Sequence, residues 1–165
     1  MQPLPNIGLR TLKTALAIFL CLLLSPGEPF FACMTAVFCI QSTVNDSIQA
    51  ALTRGLGTIL GGVIGLIFLT LCRYVRTFEF PFFATKLIIY ALIAFGIIIT
   101  IHGLNLLKKP GWIPIGCIVF LAVTTANADK TPVLYTFNRI AETLFGIVIG
   151  LLVNRFITPP KDRLK

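Results

Sequence analysis

Four cations, Lys13, Arg54, Lys86 and Arg139, stand near the N-terminal ends of apolar stretches, and one acid, Glu142, follows the last of them by three residues. Where such a stretch opens a helix, as at Lys13 and Lys86, the helix dipole is already positive and disfavours another cation. A nearby anion relieves that conflict. One candidate is a lipid phosphate, reached by snorkelling side chains. The other is a carboxylate substrate, held in turn by cations toward the two ends of a path. Glu142 lies on the same helical face as Arg139, close enough to pair with it. An ionised acid within an apolar segment is costly, and such acids pair or relay protons. Glu142 therefore reads either as a fixed partner of Arg139 or as a proton-coupling group that takes up a proton while an anion occupies the arginine.

No other chemistry stands out. The five cysteines, Cys21, Cys33, Cys39, Cys72 and Cys117, fall in or at the ends of apolar runs, without metal-ligand spacing. The single histidine, His102, cannot complete a zinc site and reads as interfacial. No nucleophile–base set, phosphate-binding glycine loop or carboxylate pair suggests catalysis, so neither an enzyme nor a cofactor is expected. The net charge of +8 does not point to nucleic acid. Its lysines and arginines flank apolar runs, where they set orientation and meet anionic lipid headgroups.

The elements that carry these residues are apolar throughout. The composition is 56% hydrophobic and 12% charged, about half the charged share of soluble chains. Six segments predict membrane helices: Leu9 to Leu24, Phe30 to about Val44, Asp46 to Cys72, Phe82 to Ile101, Trp112 to Ala126, and about Val133 to Ile157. Several are short for a bilayer and imply tilting or local thinning. The first follows Arg10 and Lys13 as a secretory signal would. Ser25-Pro26-Gly27-Glu28-Pro29 lacks a small-x-small cleavage site, however, so it reads as a retained helix.

An internal repeat sets the architecture. A shift of 85 residues aligns Arg54–Leu66 with Arg139–Leu151 at seven identities in thirteen positions, and pairs Pro29 with Pro114. A shift of 73 residues pairs Lys13 with Lys86. Each half then holds three helices, about 8–76 and about 82–157, and an odd number makes the two copies inverted. The expected fold is an all-α integral membrane protein: six transmembrane helices as two inverted three-helix repeats, in a single domain over 1–165. Residues 158–165 would form a short basic cytoplasmic tail. With the N-terminus inside, nine cations face the cytoplasm and five, Arg73, Arg76, Lys86, Lys130 and Arg139, the outside, which favours both termini cytoplasmic. Within the repeat, Gly57, Gly61 and Gly65, and likewise Gly146 and Gly150, lie on one helical face and allow a second backbone to approach closely.

Arg10-Thr-Leu-Lys-Thr-Ala-Leu-Ala, Pro29-Phe-Phe-Ala, Arg54-Gly-Leu-Gly-Thr-x-x-Gly-x-x-x-Gly and Asn138-Arg-Ile-x-Glu-Thr-x-x-Gly together resemble the aromatic acid exporter family. That family lies within the wider fusaric-acid-resistance-like group of bacterial inner-membrane proteins. The resemblance covers essentially the whole chain. It implies six-helix inverted-repeat modules, often homo-oligomeric, that export aromatic carboxylates through the inner membrane. Members often carry a soluble cytoplasmic domain after the helices. This chain ends at Lys165, soon after Pro159-Pro160, and is expected to lack it. Two functions follow: an exporter of aromatic or other organic acid anions, with membrane lipids around it, or a non-transporting membrane subunit or scaffold whose partner supplies the soluble domain.

Overall fold

The structure is a computed structural model, and it describes residues 8–25, 27–78, 81–125 and 131–157. These residues form α1 (Leu9–Leu24), α2 (Phe30–Cys39), α3 (Val44–Arg76), α4 (Phe82–Leu106), α5 (Ile113–Thr125) and α6 (Pro132–Phe156), with a 3-10 turn at Pro110–Trp112 leading into α5. No strand occurs among the described residues. The expected basic tail, 158–165, lies outside them.

Three helices, α3, α4 and α6, are long and apolar enough to cross a membrane, at 33, 25 and 25 residues. The other three are shorter. With 10 residues, α2 rises about 15 Å, and α5, with 13, about 20 Å, against a hydrocarbon core of about 30 Å. The sequence expectation carried the second helix to Val44, but it ends at Cys39. Ile40 takes extended backbone (φ −85°, ψ 98°), and α3 already begins at Val44. The cause is an N-cap at Thr43: its Oγ1 accepts the Asp46 backbone N–H at 3.1 Å and donates to the Asp46 carboxylate at 2.8 Å. At the other end, α4 runs past His102 to Leu106. The chain turns there through Lys108, which adopts left-handed backbone at φ 53°.

The chain divides into two compact units, Met1–Leu52 with Glu142–Lys165, and Thr53–Ala141. The first unit combines α1, α2, the opening turns of α3 and the later part of α6. Lys13, Ala17 and Cys21 recur every four residues as the buried stripe of α1. Ala17 and Cys21 join Ala32, Ala36 and Ile40 around α2 and Ile149 and Val153 of α6 in one apolar cluster. Small side chains let the backbones close up. A β-carbon on Gly146 would fall on the carbonyl oxygen of Ala32 and 2.9 Å from its Cα, and one on Gly150 would stand 3.0 Å from Cys39 Cβ.

The second unit packs the body of α3 against α5, with α4 beside them. A β-carbon on Gly61 would fall on the Gly116 carbonyl oxygen and 2.8 Å from its Cα, and one on Gly65 would stand 3.1 Å from Val123 Cβ. Gly57 faces Ile115 and the Trp112 carbonyl in the same way, at 3.1 Å. The Phe120 ring lies over Gly96 and meets Phe68 edge-on at 5.6 Å. Buried Thr100 and Thr124 donate to the carbonyls of Gly96 and Phe120, both at 2.8 Å, so these hydroxyls are satisfied within their own helices.

Large apolar side chains such as Phe19, Phe82, Phe83 and Phe137 stand exposed on the helices. A surface of this kind suits lipid.

Candidate functional site

In the first unit a polar cluster gathers around Lys13. The stripe that buries Ala17 and Cys21 buries Lys13 as well, leaving it only 5% exposed. Its ammonium donates to Asn154 Oδ1 of α6 at 3.0 Å. The Asn154 amide in turn donates to Ser47 Oγ at 2.6 Å and to the Gln41 carbonyl at 3.3 Å. Ser47 Oγ also accepts the Gln41 backbone N–H at 3.1 Å. An ammonium can only donate, so the amide must present its oxygen to Lys13 and its nitrogen to Ser47. The early end of α2 makes this possible: it delivers the Gln41 peptide to the first turn of α3, where Ser47 is fully buried.

In the second unit a cavity of about 590 Å³ opens between α3, α4 and α5. Arg73 and Arg76 of α3, Lys86 and Tyr90 of α4, and Thr124 and Thr125 of α5 form its polar side. Leu69, Ile89 and Ile93 supply apolar wall. No acid is among these described lining residues. Arg73 and Arg76 close the last turn of α3, where the helix dipole favours cations. Lys86 is exposed, with its Nζ 5.4 Å from the Phe82 ring centroid. A recess of this volume, with cations beside apolar wall, suits an amphipathic anion: its charged group meets the guanidinium and ammonium groups, and its hydrocarbon meets the aliphatic side.

The remaining sequence candidates fall elsewhere. Arg54 and Arg139 are 5% and 6% exposed and are not among the lining of that cavity. The Arg139 guanidinium lies 4.8 Å from the Tyr135 ring centroid, a cation–π contact one turn back on α6. Cations that snorkel to lipid phosphates keep their tips exposed. The burial of Lys13, Arg54 and Arg139 does not suit that reading, whereas the exposure of Lys86 does. Glu142 is half-buried on α6, and its Oε1 lies 3.4 Å from where a β-carbon on Gly27 would stand. Its carboxylate thus faces the turn before α2, the positive end of that helix. Among the described residues no group of three His, Cys, Asp or Glu side chains could hold a metal ion.

Sequence reasoning missed Ser47 and Asn154, and saw Arg73 and Arg76 only as orientation signals. Asn154 was legible in principle, because it continues the face of Gly146 and Gly150 by one more turn. Nothing in the sequence marked Ser47, which became part of the cluster only through the early end of α2.

Apolar helices with exposed apolar faces, three of them long and apolar enough to cross a membrane, define a helical membrane protein. The chain belongs to the aromatic acid exporter family: the profile described as "Aromatic acid exporter family member 1" matches residues 5–157. It is similar to a UPF0421 protein of Staphylococcus epidermidis, 33% identical over 94% of this chain and 44% of the relative. A UPF0421 protein of Bacillus cereus is 32% identical over 93% and 40%, and one of Oceanobacillus iheyensis 29% identical over 93% and 41%. The chain thus spans about two fifths of the length of these curated relatives. No solved structure matches it.

Proposed function

We propose that this chain exports organic acid anions, aromatic carboxylates foremost, across the bacterial inner membrane. The observation that carries the reading is the cavity of about 590 Å³ with Arg73, Arg76 and Lys86 on one side and Leu69, Ile89 and Ile93 on the other. Such a recess accepts a carboxylate and its ring together. In this reading Lys86 is a direct substrate contact, and Arg54 and Arg139 are buried cations along the path. Glu142 couples export to the proton gradient. As the described acid in the body of an apolar helix, it would change the charge facing the start of α2 whenever it gained a proton.

The architecture we propose is six spans in two inverted repeats, with both termini cytoplasmic and homo-oligomeric assembly. Two observations support the repeat. The glycine face of α3 packs on α5 as that of α6 packs on α2, with Gly61 against Gly116 and Gly146 against Ala32. The two shortest helices, α2 and α5, also occupy corresponding positions. Unusually short segments at matched positions of two repeats point to a transporter's binding region. The test is transport of a panel of radiolabelled aromatic acids in proteoliposomes containing this chain alone. Saturable carboxylate flux supports the reading, and none above empty liposomes would sink it. A second reading, a non-transporting membrane subunit or scaffold for a partner, predicts no saturable flux by this chain alone.

A further inference from the structure

We propose that Lys13, Ser47 and Asn154 form a second anion site, which takes one monovalent anion, a carboxylate head or a halide. The site is built and short of acceptors. Lys13 is 5% exposed, Asn154 3% and Ser47 fully buried. An ammonium carries three N–H donors, and among the described residues Lys13 places only one, on Asn154 Oδ1. Ser47 Oγ accepts two hydrogen bonds, from Asn154 and from the Gln41 N–H, and still carries its own proton. The acid one residue before Ser47 does not help, because exposed Asp46 is engaged with Thr43 in the cap of α3. Surplus donors around a buried positive charge call for an acceptor that brings negative charge.

The sequence repeat supplies an independent argument. The shift of 73 residues carries Lys13 onto Lys86, and the shift of 85 carries Leu69 onto Asn154. Lys86 and Leu69 both line the cavity of the second unit. Corresponding positions therefore form an open recess with three cations in one unit and a closed cluster with a single cation in the other. The single cation sets the charge class. A monovalent anion neutralises Lys13, whereas a dianion would leave a net negative charge buried among Ala17, Cys21 and Ile40. This inference rests on the export reading for its physiological role, but its binding test does not.

The test uses the full chain in detergent, carrying Arg73→Gln, Arg76→Gln and Lys86→Gln so that the cavity has lost its cations. Sodium chloride, benzoate and sulfate, and neutral benzamide, are titrated at constant ionic strength by calorimetry. Saturable one-site binding of chloride, benzoate or both, with none of sulfate or benzamide, is the expected result. Chloride alone assigns a halide site; benzoate assigns a carboxylate site. Lys13→Met should abolish the binding. Ser47→Ala, a smaller change that serves if Lys13→Met does not fold, should weaken it about tenfold. The site is overturned by no monoanion binding in this background, by sulfate binding more tightly than chloride, or by binding that Ser47→Ala leaves unchanged. Monoanion binding without flux would count against export and leave the site standing. Flux without Lys13-dependent binding overturns the site alone.

Discussion

Arg73 and Arg76 read as topology in the sequence because they fall at the polar end of an apolar run. Only the meeting of α3 with α4 and α5 makes them lining residues beside Lys86. In the proposed export reading each would contribute a charge-assisted contact to a carboxylate, so Arg73→Gln or Arg76→Gln should weaken carboxylate transport about tenfold, with neutral solutes unaffected. Loss measured equally for an acid and its amide would return these arginines to a structural role. Asn154 makes a different prediction. Asn154→Ala removes the acceptor that the described residues give the buried Lys13 ammonium and should cost about 2–4 kcal/mol of stability, seen as a lowered unfolding midpoint. Glu142→Gln mimics the protonated acid at similar volume. This variant should fold and exchange substrate but lose pH-driven accumulation. Accumulation equal to wild type would make Glu142 a fixed structural charge facing the turn before α2.

At the scale of the helix, the apolar run placed α1 as it stands, because the run stops at the Ser25-Pro26-Gly27 turn signal. The end of α2 was harder to see. Phe30 to Ile40 is apolar, and Gln41, Ser42 and Thr43 lower the hydropathy without fixing a helix end, because polar residues can continue a helix. The informative signal was local: Thr43 and Asp46 stand three apart, the spacing of an N-cap and the N–H it accepts, and begin α3 at Val44. Hydropathy also cannot tell a half-length helix from a spanning one that ends in polar residues. The glycine faces were legible from spacing, but not which helix each would meet. Gly61 meets Gly116 and Gly146 meets Ala32, each at backbone contact. Leucine at either position has no flexible neighbour to displace, and overpacking costs about 1–3 kcal/mol or more. Gly61→Leu and Gly146→Leu should therefore lower the yield of folded protein in detergent, measured by size-exclusion profile. Profiles like wild type for both would remove the packing role.

At the scale of the whole chain, the repeat was visible in Arg54–Leu66 and Arg139–Leu151, but the packing units cut across it. The body of α3 belongs with α4 and α5, and the end of α6 with α1 and α2. Sequence identity records common ancestry of segments, not which copy each will pack against. One consequence touches assembly: both glycine stripes are occupied by helices of the same chain, so a homo-oligomer must use another face. The proposed topology rests on an odd number of helices per repeat. Cysteines placed at Asn127 and Lys165, both outside the described residues, should label from opposite sides of the membrane. Labelling from one side would remove the inverted repeat. The claim on which the rest depends is that the cavity at Arg73, Arg76 and Lys86 carries a carboxylate through the membrane. The most direct measurement is counterflow of radiolabelled benzoate into proteoliposomes loaded with unlabelled benzoate, comparing wild type with the Arg73→Gln/Arg76→Gln double variant. Saturable counterflow by wild type is expected, reduced at least about tenfold in a folded double variant, with no counterflow of benzamide by either. Equal benzoate counterflow by the two proteins would contradict the claim.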